Sequence, residues 1–444
     1  MTKTTLNENL PVENPRKGLV GLLPDVVFKE DGSIKQIKCT YENFRVVVEY
    51  LVGLPAYELI TRQIILPDLP VLHDLPLQAR QRRYEILCYD ECVRLGMKIQ
   101  PQRVVEWLYA LAQENSYNAA ALWFEMNARL IVGRPDDERD KTIKEVFSCF
   151  GLPTDGMEYQ IFLKWLFQCY AMANNKAGAY GAEIVLVLQS ENQGIGKTRG
   201  LSLIFKPFPG LYAAEMSIDP SDRDSVDRCT RYWVVELSEL ERMTLKETGK
   251  LKSFVTSPTD EYRAPYARGN EKHPRYTSFC GTVNKADFLR EDGRRFFILP
   301  INDVDLDRLE QIDMTLMWSE VFTLYTDPSC FRLSKEERQW ITGRSREHIQ
   351  VTDEEQVLLD CLDWETHNFA AWEWHTTTEV AKELGLKSAD KVGRVYKQIL
   401  QRKYPHLVDD FVHKKKNGVY KNYFPPYTRD AMGRIEKYAV KIVG

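Results

Sequence analysis

The stretch Glu183-Ile-Val-Leu-Val-Leu-Gln-Ser-Glu-Asn-Gln-Gly-Ile-Gly-Lys-Thr198 constrains this chain more than any other. An apolar run of strand length, Ile184 to Leu188, leads into a glycine-containing loop that ends in Gly196-Lys197-Thr198. A helix-compatible segment follows to Phe205. Strand, loop, Gly-Lys-Thr and helix in that order form a cradle for nucleotide phosphates. Backbone N–H groups wrap the phosphates, the lysine neutralises the terminal ones, and the threonine hydroxyl ligates Mg²⁺. A helix N-terminus adds unpaired N–H groups and a favourable dipole for anions. The expected ligands are therefore ATP and Mg²⁺, held by Gln193, Gly194, Ile195, Gly196, Lys197, Thr198 and Arg199, with Thr198 on the metal. The usual pattern is G-x-x-x-x-G-K-[ST], and its first glycine falls on Glu191. A carboxylate there must point away from a bound phosphate, and Gly194 and Gly196 must supply the tight backbone path.

Composition bounds the rest. A chain of 444 residues suggests about two to four domains. Its 43% hydrophobic and 28% charged residues are those of a soluble globular protein. No apolar run of about 18 residues offers a membrane span. Met1-Thr-Lys-Thr-Thr-Leu-Asn-Glu8 lacks the apolar centre of a secretory signal. The nine cysteines are scattered. Cys88 and Cys92 have helical spacing, but no second pair completes a zinc site, so they read as buried small residues in a reducing cytoplasm. Net charge is −4, yet from Trp374 to Arg434 there are 13 Lys and Arg against 6 Asp and Glu. An acidic body with a basic C-terminal module suggests that the module meets a polyanion.

Residues 1–154 read as a mainly helical domain, with helical patterns at Asn43 to Leu51, Ala79 to Leu95 and Gln102 to Gln113, and a hairpin between Val26 and Lys38. Nothing there resembles a nucleophile or a paired-carboxylate site. Residues 155–345 hold the α/β nucleotide-binding core, beginning with a helix at Tyr159 to Ala173. A second buried strand, Arg231-Tyr-Trp-Val-Val-Glu-Leu-Ser-Glu-Leu240, ends in Glu236 with Glu239 three residues on. Acids in that place hold Mg²⁺ and orient the attacking water. Two extended segments then flank Gly269-Asn270, with Arg268, Lys272, His273 and Arg275 around the turn, which reads as a basic-tipped hairpin. Asn284 follows another extended run, where an amide can sense a γ-phosphate. Arg294 and Arg295 precede a further apolar strand.

The ordered motifs QGIGKT, VVELSEL, LKSFVTSPTDEYRAPYAR, HPR, GTVN and DGRRFF resemble the virulence-associated E family of mobile-element and phage NTPases. More distantly they resemble superfamily 3 helicases of the AAA+ class. The resemblance covers residues 160–300 closely and implies a hexameric ATPase linked to replication of mobile DNA. It implies that Glu236 is the Walker B acid with Glu239 in support, that Asn284 is the sensor, and that Arg294 or Arg295 is an arginine finger for a neighbouring subunit's nucleotide. It also puts Lys272 and His273 at a hairpin tip that grips single-stranded DNA. One acid closes the strand where the family pattern has Asp-Glu together, so the division of labour between Glu236 and Glu239 stays open.

Residues 346–444 read as a winged-helix DNA-binding domain. Thr376 to Leu386 suits the first helix of a helix-turn-helix. Ser388 caps a second helix to Leu400 that bears Lys391 and Arg394. Lys414, Lys415 and Lys416 precede Asn417-Gly418, a two-residue hairpin signal. The recognition helix would enter a groove while the wing contacts phosphate.

The expectation is thus an AAA+-like P-loop ATPase core between a helical domain and a winged helix. It would work as a DNA helicase on single-stranded or forked DNA, in a homo-oligomeric ring, with replication partners such as a primase and no membrane. The alternatives are an initiator or repressor with a vestigial NTPase, favoured by Glu191, and an NTPase switch that remodels proteins.

Overall fold

The structure is a computed structural model that describes residues 15–238, 240–242, 245–262, 271–289, 293–348, 353–366, 368–428 and 431. Between residues 184 and 278, strand-length runs are separated by helices, and strands linked by such crossovers pair in parallel. Five strands form one sheet: β1 (Val185–Gln189), β2 (Tyr212–Met216), β3 (Val234–Leu237), β4 (Ser278–Val283) and β5 (Phe296–Pro300). Their order is β5-β1-β4-β3-β2, and every pairing is parallel. All five residues of β1 are buried, as expected for a central strand covered on both faces. Its Val187 pairs with Gly281 on one side and Ile298 on the other.

Three helices matter for the site: α1 (Met157–Ala173), α2 (Lys197–Ile204) and α3 (Met314–Leu324). α1 is apolar nearly all round, so it lies in the core rather than on it. Its Gln168 holds two strands at once. Nε2 donates to Ile184 O and to Ser278 Oγ, both at 2.9 Å, while Oε1 accepts from Ile184 N at 3.0 Å. Three buried indoles each find a backbone carbonyl: Trp165 reaches Phe279 at 3.0 Å, Trp233 reaches Cys169 at 2.8 Å, and Trp318 reaches Ile204 at 2.8 Å. Such satisfied aromatics fix the seating of α1, α2 and α3 against the sheet.

The chain divides into two compact units, Met1–His348 and Ile349–Gly444. Within the first, the helices Tyr41–Leu51, Leu77–Arg94 and Pro101–Glu114 gather around Phe44, Val48, Tyr84, Cys88 and Leu111, each within two residues of its expected start. Val26–Phe28 and Ile34–Ile37 form the expected hairpin. A small sheet of Ala56–Glu58, Gln63–Ile65 and Ser116–Tyr117 was not expected, because strands this short carry no visible alternation. Arg62 ties this region to the core, with Nη1 2.6 Å from Asp227 Oδ1 and Nη2 2.9 Å from Thr230 Oγ1. No described helix is long and apolar enough to cross a membrane.

In the second unit, Thr377–Glu383 begins with a Thr376/Glu379 capping box, and Ala389–Lys403 is capped by Ser388. Val419–Phe424 is the centre of a three-stranded antiparallel sheet, flanked by Glu373–His375 and Lys414–Lys416. Asn417 and Gly418 both have positive φ (51° and 82°), the backbone that closes a two-residue hairpin without splaying its strands. The core packs Trp364, Trp372, Tyr396, Leu400 and Phe424.

Candidate functional site

Parallel strands end on one edge of the sheet, and the loops that leave that edge face each other. The loop from β1 turns through two left-handed glycines, Gly194 (φ 77°) and Gly196 (φ 85°), before α2 begins at Lys197. At Gly196 a Cβ would stand 2.7 Å from Leu306 Cδ1 and would push that side chain aside. Glu191 stands where the usual pattern has glycine, but its φ is not positive and its side chain is exposed. The left-handed turns fall on the two later glycines, and nothing in the backbone demands one at 191. Gln193 and Gly194 are exposed and Ile195 is half-buried. Arg199 is exposed and paired with Glu310.

Lys197 is only 8% exposed. Its Nζ donates to Asn284 Oδ1 at 2.9 Å, to Ser190 O at 3.3 Å and to Asn192 O at 3.4 Å. Burial draws its pKa below the ordinary lysine value, and the negative charge of Glu241 partly opposes this. Glu236, near the end of β3, is 1% exposed and fully bonded. Oε1 accepts from Thr198 Oγ1 and Thr282 Oγ1, each at 2.8 Å, and Oε2 accepts from Tyr212 OH at 3.0 Å. Burial, with the Glu236 carboxylate adding to it, pushes the Tyr212 phenol well above the usual range, so it remains a donor. Glu241 Oε1 accepts from the backbone N–H groups of Asn284 and Lys285, the latter at 3.2 Å, and so braces the loop after β4.

Lys197, Thr198, Glu236 and Asn284 thus meet in direct hydrogen bonds although they span 87 positions. Tyr212, Thr282 and Glu241 join them and were not expected. Thr282 had a signal, since it lies two residues before Asn284 and shares its side of an extended run. Tyr212 had none, because its reach depends on β2 lying beside β3. The two candidate arginines differ. Arg294 is exposed, whereas Arg295 is half-buried with Nη1 3.2 Å from Glu183 O. Burial lowers the Arg295 pKa, and Glu183 counteracts it. Neither is hydrogen-bonded to the Lys197–Glu236 group among the described residues. Glu239 and Arg268 lie outside the described residues.

The basic segments separate as well. Thr259–Tyr262 pairs antiparallel with Glu271–Pro274 and sets Lys272 opposite Glu261 and His273 opposite Asp260. Lys272 and His273 therefore sit in a strand and not on the turn, which falls outside the described residues. Lys272 is exposed, with Nζ 3.7 Å from Glu261. Arg275 requires a correction. It is 2% exposed, its Nε lies 3.1 and 3.0 Å from the two oxygens of buried Asp260, and its guanidinium covers the Phe254 ring at 4.1 Å. Its charge is spent inside the protein, so it offers nothing to a polyanion. In the second unit Lys391 pairs with Glu354 at 2.8 Å, and exposed Arg394 touches Asp390 O at 3.5 Å. Lys414, Lys415 and Lys416 are all exposed. Lys414 lies 4.0 Å from Asp410, and Lys416 lies 4.9 Å from the Trp374 ring.

The family model of the virulence-associated protein E-like domain matches residues 136–355. That span contains β1 to β5 and every residue of the Lys197–Glu236 group. No curated protein matches the chain. Among solved structures it is similar to the apo NrS-1 C-terminal region, at 14% identity and TM-score 0.36, over 68% of this chain and 78% of that one. It is also similar to JCV helicase, at 11% identity and TM-score 0.25, over 64% of this chain and 86% of that one.

Proposed function

For a chain that carries a virulence-associated protein E-like domain over residues 136–355, we propose an ATP-driven motor on DNA, the replicative helicase of a phage or mobile element. The observation that carries this reading is the meeting of Lys197, Thr198, Glu236 and Asn284 at the carboxyl edge of a parallel sheet. A buried ammonium, two left-handed glycines and a helix N-terminus suit a triphosphate. A threonine hydroxyl beside a carboxylate oxygen suits Mg²⁺, which prefers such hard ligands.

Each residue then has a task. The loop before α2 wraps the phosphates as a P-loop. Lys197 exchanges its contacts with Asn284 and Ser190 O for phosphate oxygens. Thr198 and Glu236 hold the divalent ion, which neutralises charge on the phosphates. Glu236, with Glu239, positions the attacking water, and Asn284 reports the γ-phosphate. Water attacks phosphorus directly, without a covalent intermediate. Exposure favours Arg294 over Arg295 as the finger that serves a neighbouring subunit in a ring of six. The second unit acts as a winged helix on DNA, with Lys391 and Arg394 on its recognition helix and Lys414 to Lys416 on its wing. Lys272 and His273 grip single-stranded or forked DNA, and a primase is the natural replication partner.

A second reading, an NTPase that remodels proteins or marks an origin without unwinding, draws support from the acidic partners of Lys272 and Arg275. Phosphate release and fork unwinding by the full chain separate the two. The motor predicts ATP turnover stimulated by forked DNA, strand separation, and loss of both in Glu236→Gln. Turnover without strand separation selects the second reading, and no turnover removes both.

A further inference from the structure

Glu236 has two carboxylate oxygens, and its surroundings treat them differently. Oε1 faces the threonines, with Thr198 and Thr282 each 2.8 Å away. Oε2 faces β2, where the Tyr212 hydroxyl lies 3.0 Å away. The tyrosine cannot easily turn aside. Its ring stacks on Phe205 at 5.1 Å with an 8° interplanar angle. Phe205 follows the last turn of α2 and is wedged among Trp165, Trp233 and Trp318. The neighbouring residue Ala213 is paired with Val235, next to Glu236. The hydroxyl is therefore held by the β2–β3 backbone register and by an aromatic stack at the far end of the helix that opens with Lys197 and Thr198.

We propose that Tyr212 is a positioning residue that sets the ion preference of the site by reserving Oε2 of Glu236, leaving only Oε1 to face a divalent cation. This rests on the nucleotide-binding reading given above. When Thr198 turns its hydroxyl toward a cation, Oε1 loses one donor while Oε2 keeps its own. Turning the carboxylate to present both oxygens would then cost the Tyr212 hydrogen bond. Mg²⁺ is small, retains several waters and takes single carboxylate oxygens. Ca²⁺ is larger and readily accepts a carboxylate through both. A held Oε2 therefore favours Mg²⁺, and a released Oε2 opens the two-oxygen mode that Ca²⁺ prefers.

Tyr212→Phe removes the hydroxyl and keeps the stacked ring. The test titrates Mg²⁺ and Ca²⁺ into the full chain with a fluorescent ATP analogue and reads half-saturation for each ion. Phosphate release with Mg²⁺ is followed in parallel. The expected result is a shift of at least about five-fold toward Ca²⁺ in the ratio of half-saturating concentrations, and a turnover loss of about ten-fold, the scale of one hydrogen bond to a charged group. Phe205→Leu keeps the hydroxyl but loosens the stack, and should shift the ratio less. A merely structural tyrosine would lower the melting temperature and leave the ion ratio unmoved. An unchanged ratio in Tyr212→Phe, while Glu236→Gln alters metal dependence, overturns this inference and leaves the nucleotide site standing. A wild-type chain that binds no analogue with either ion overturns both.

Discussion

Two hairpins that look alike in the sequence are opposites in the structure. Thr259–Tyr262 with Glu271–Pro274, and Lys414–Lys416 with Val419–Phe424, both carry clustered basic residues beside a turn. In the first, the opposite strand supplies the counter-charge. Glu261 stands across from Lys272, Asp260 stands across from His273, and Asp260 also takes the guanidinium of Arg275. In the second, the opposite strand supplies none. Lys416 faces Val419, Lys415 faces Tyr420, and Lys414 faces Lys421, a like-charge pair that costs stability. A count of basic residues thus says little about a local field until strand register is known. The hairpin that tolerates an unfavourable pair is the better candidate for an anionic partner.

The largest test of this contrast is Arg275→Ala. It would leave Asp260 buried and unpaired, a change that costs about 3–5 kcal/mol. Denaturant unfolding should show the loss plainly. Should the variant unfold like wild type and instead bind DNA less well, Arg275 is a ligand contact and the contrast fails. Next comes replacement of Lys414, Lys415 and Lys416 by alanine. With about 0.9 counterions released per phosphate contact, the slope of log affinity against log salt should fall by about 2.7. Unfolding should be unchanged or slightly later, since Lys414 no longer opposes Lys421. An unaltered slope would make the C-terminal unit a protein-contact module.

Tyr420→Glu converts the second hairpin toward the first by placing an acid opposite Lys415. Tyr420 is 63% exposed, so stability should move by no more than about 0.5 kcal/mol. Duplex affinity should drop by less than in the triple variant, and a rise would refute a role for hairpin charge. The smallest effect belongs to Lys272→Ala. Its pair with Glu261 is exposed and worth at most about 1 kcal/mol. The salt slope should fall by at most about one. No fall at all would mean that Glu261 quenches Lys272 and that the first hairpin does not grip DNA.

What was legible in the sequence was whatever depends on neighbours along the chain. β1 and α2 follow from a short apolar run, two glycines and a Gly-Lys-Thr end. The Thr376/Glu379 box, the Ser388 cap and the Asn417-Gly418 turn are likewise local rules. What was not legible depends on which strand lies beside which. Tyr212 reaches Glu236 only because β2 and β3 are adjacent. Arg275 looked like its exposed basic neighbours, yet Asp260 and Phe254 take it inside. Arg294 and Arg295 were indistinguishable in sequence, but they are the central residues of a turn that Phe296 N–H closes on Gly293 O, and only Arg295 meets Glu183. The left-handed turns fall on Gly194 and Gly196, which explains how Glu191 is accommodated at the first position of the motif.

The nucleotide reading requires the carboxyl edge of the β5-β1-β4-β3-β2 sheet to bind a nucleoside triphosphate through Lys197. Equilibrium titration of the full chain with a fluorescent ATP analogue and Mg²⁺ tests this most directly, comparing wild type with Lys197→Ala. The lysine is buried among Ser190 O, Asn192 O and Asn284 and has few other tasks. Wild type should bind saturably and the variant at least about ten-fold more weakly, with its fold intact by circular dichroism. Equal affinity in the two proteins, or no binding by either, would contradict it.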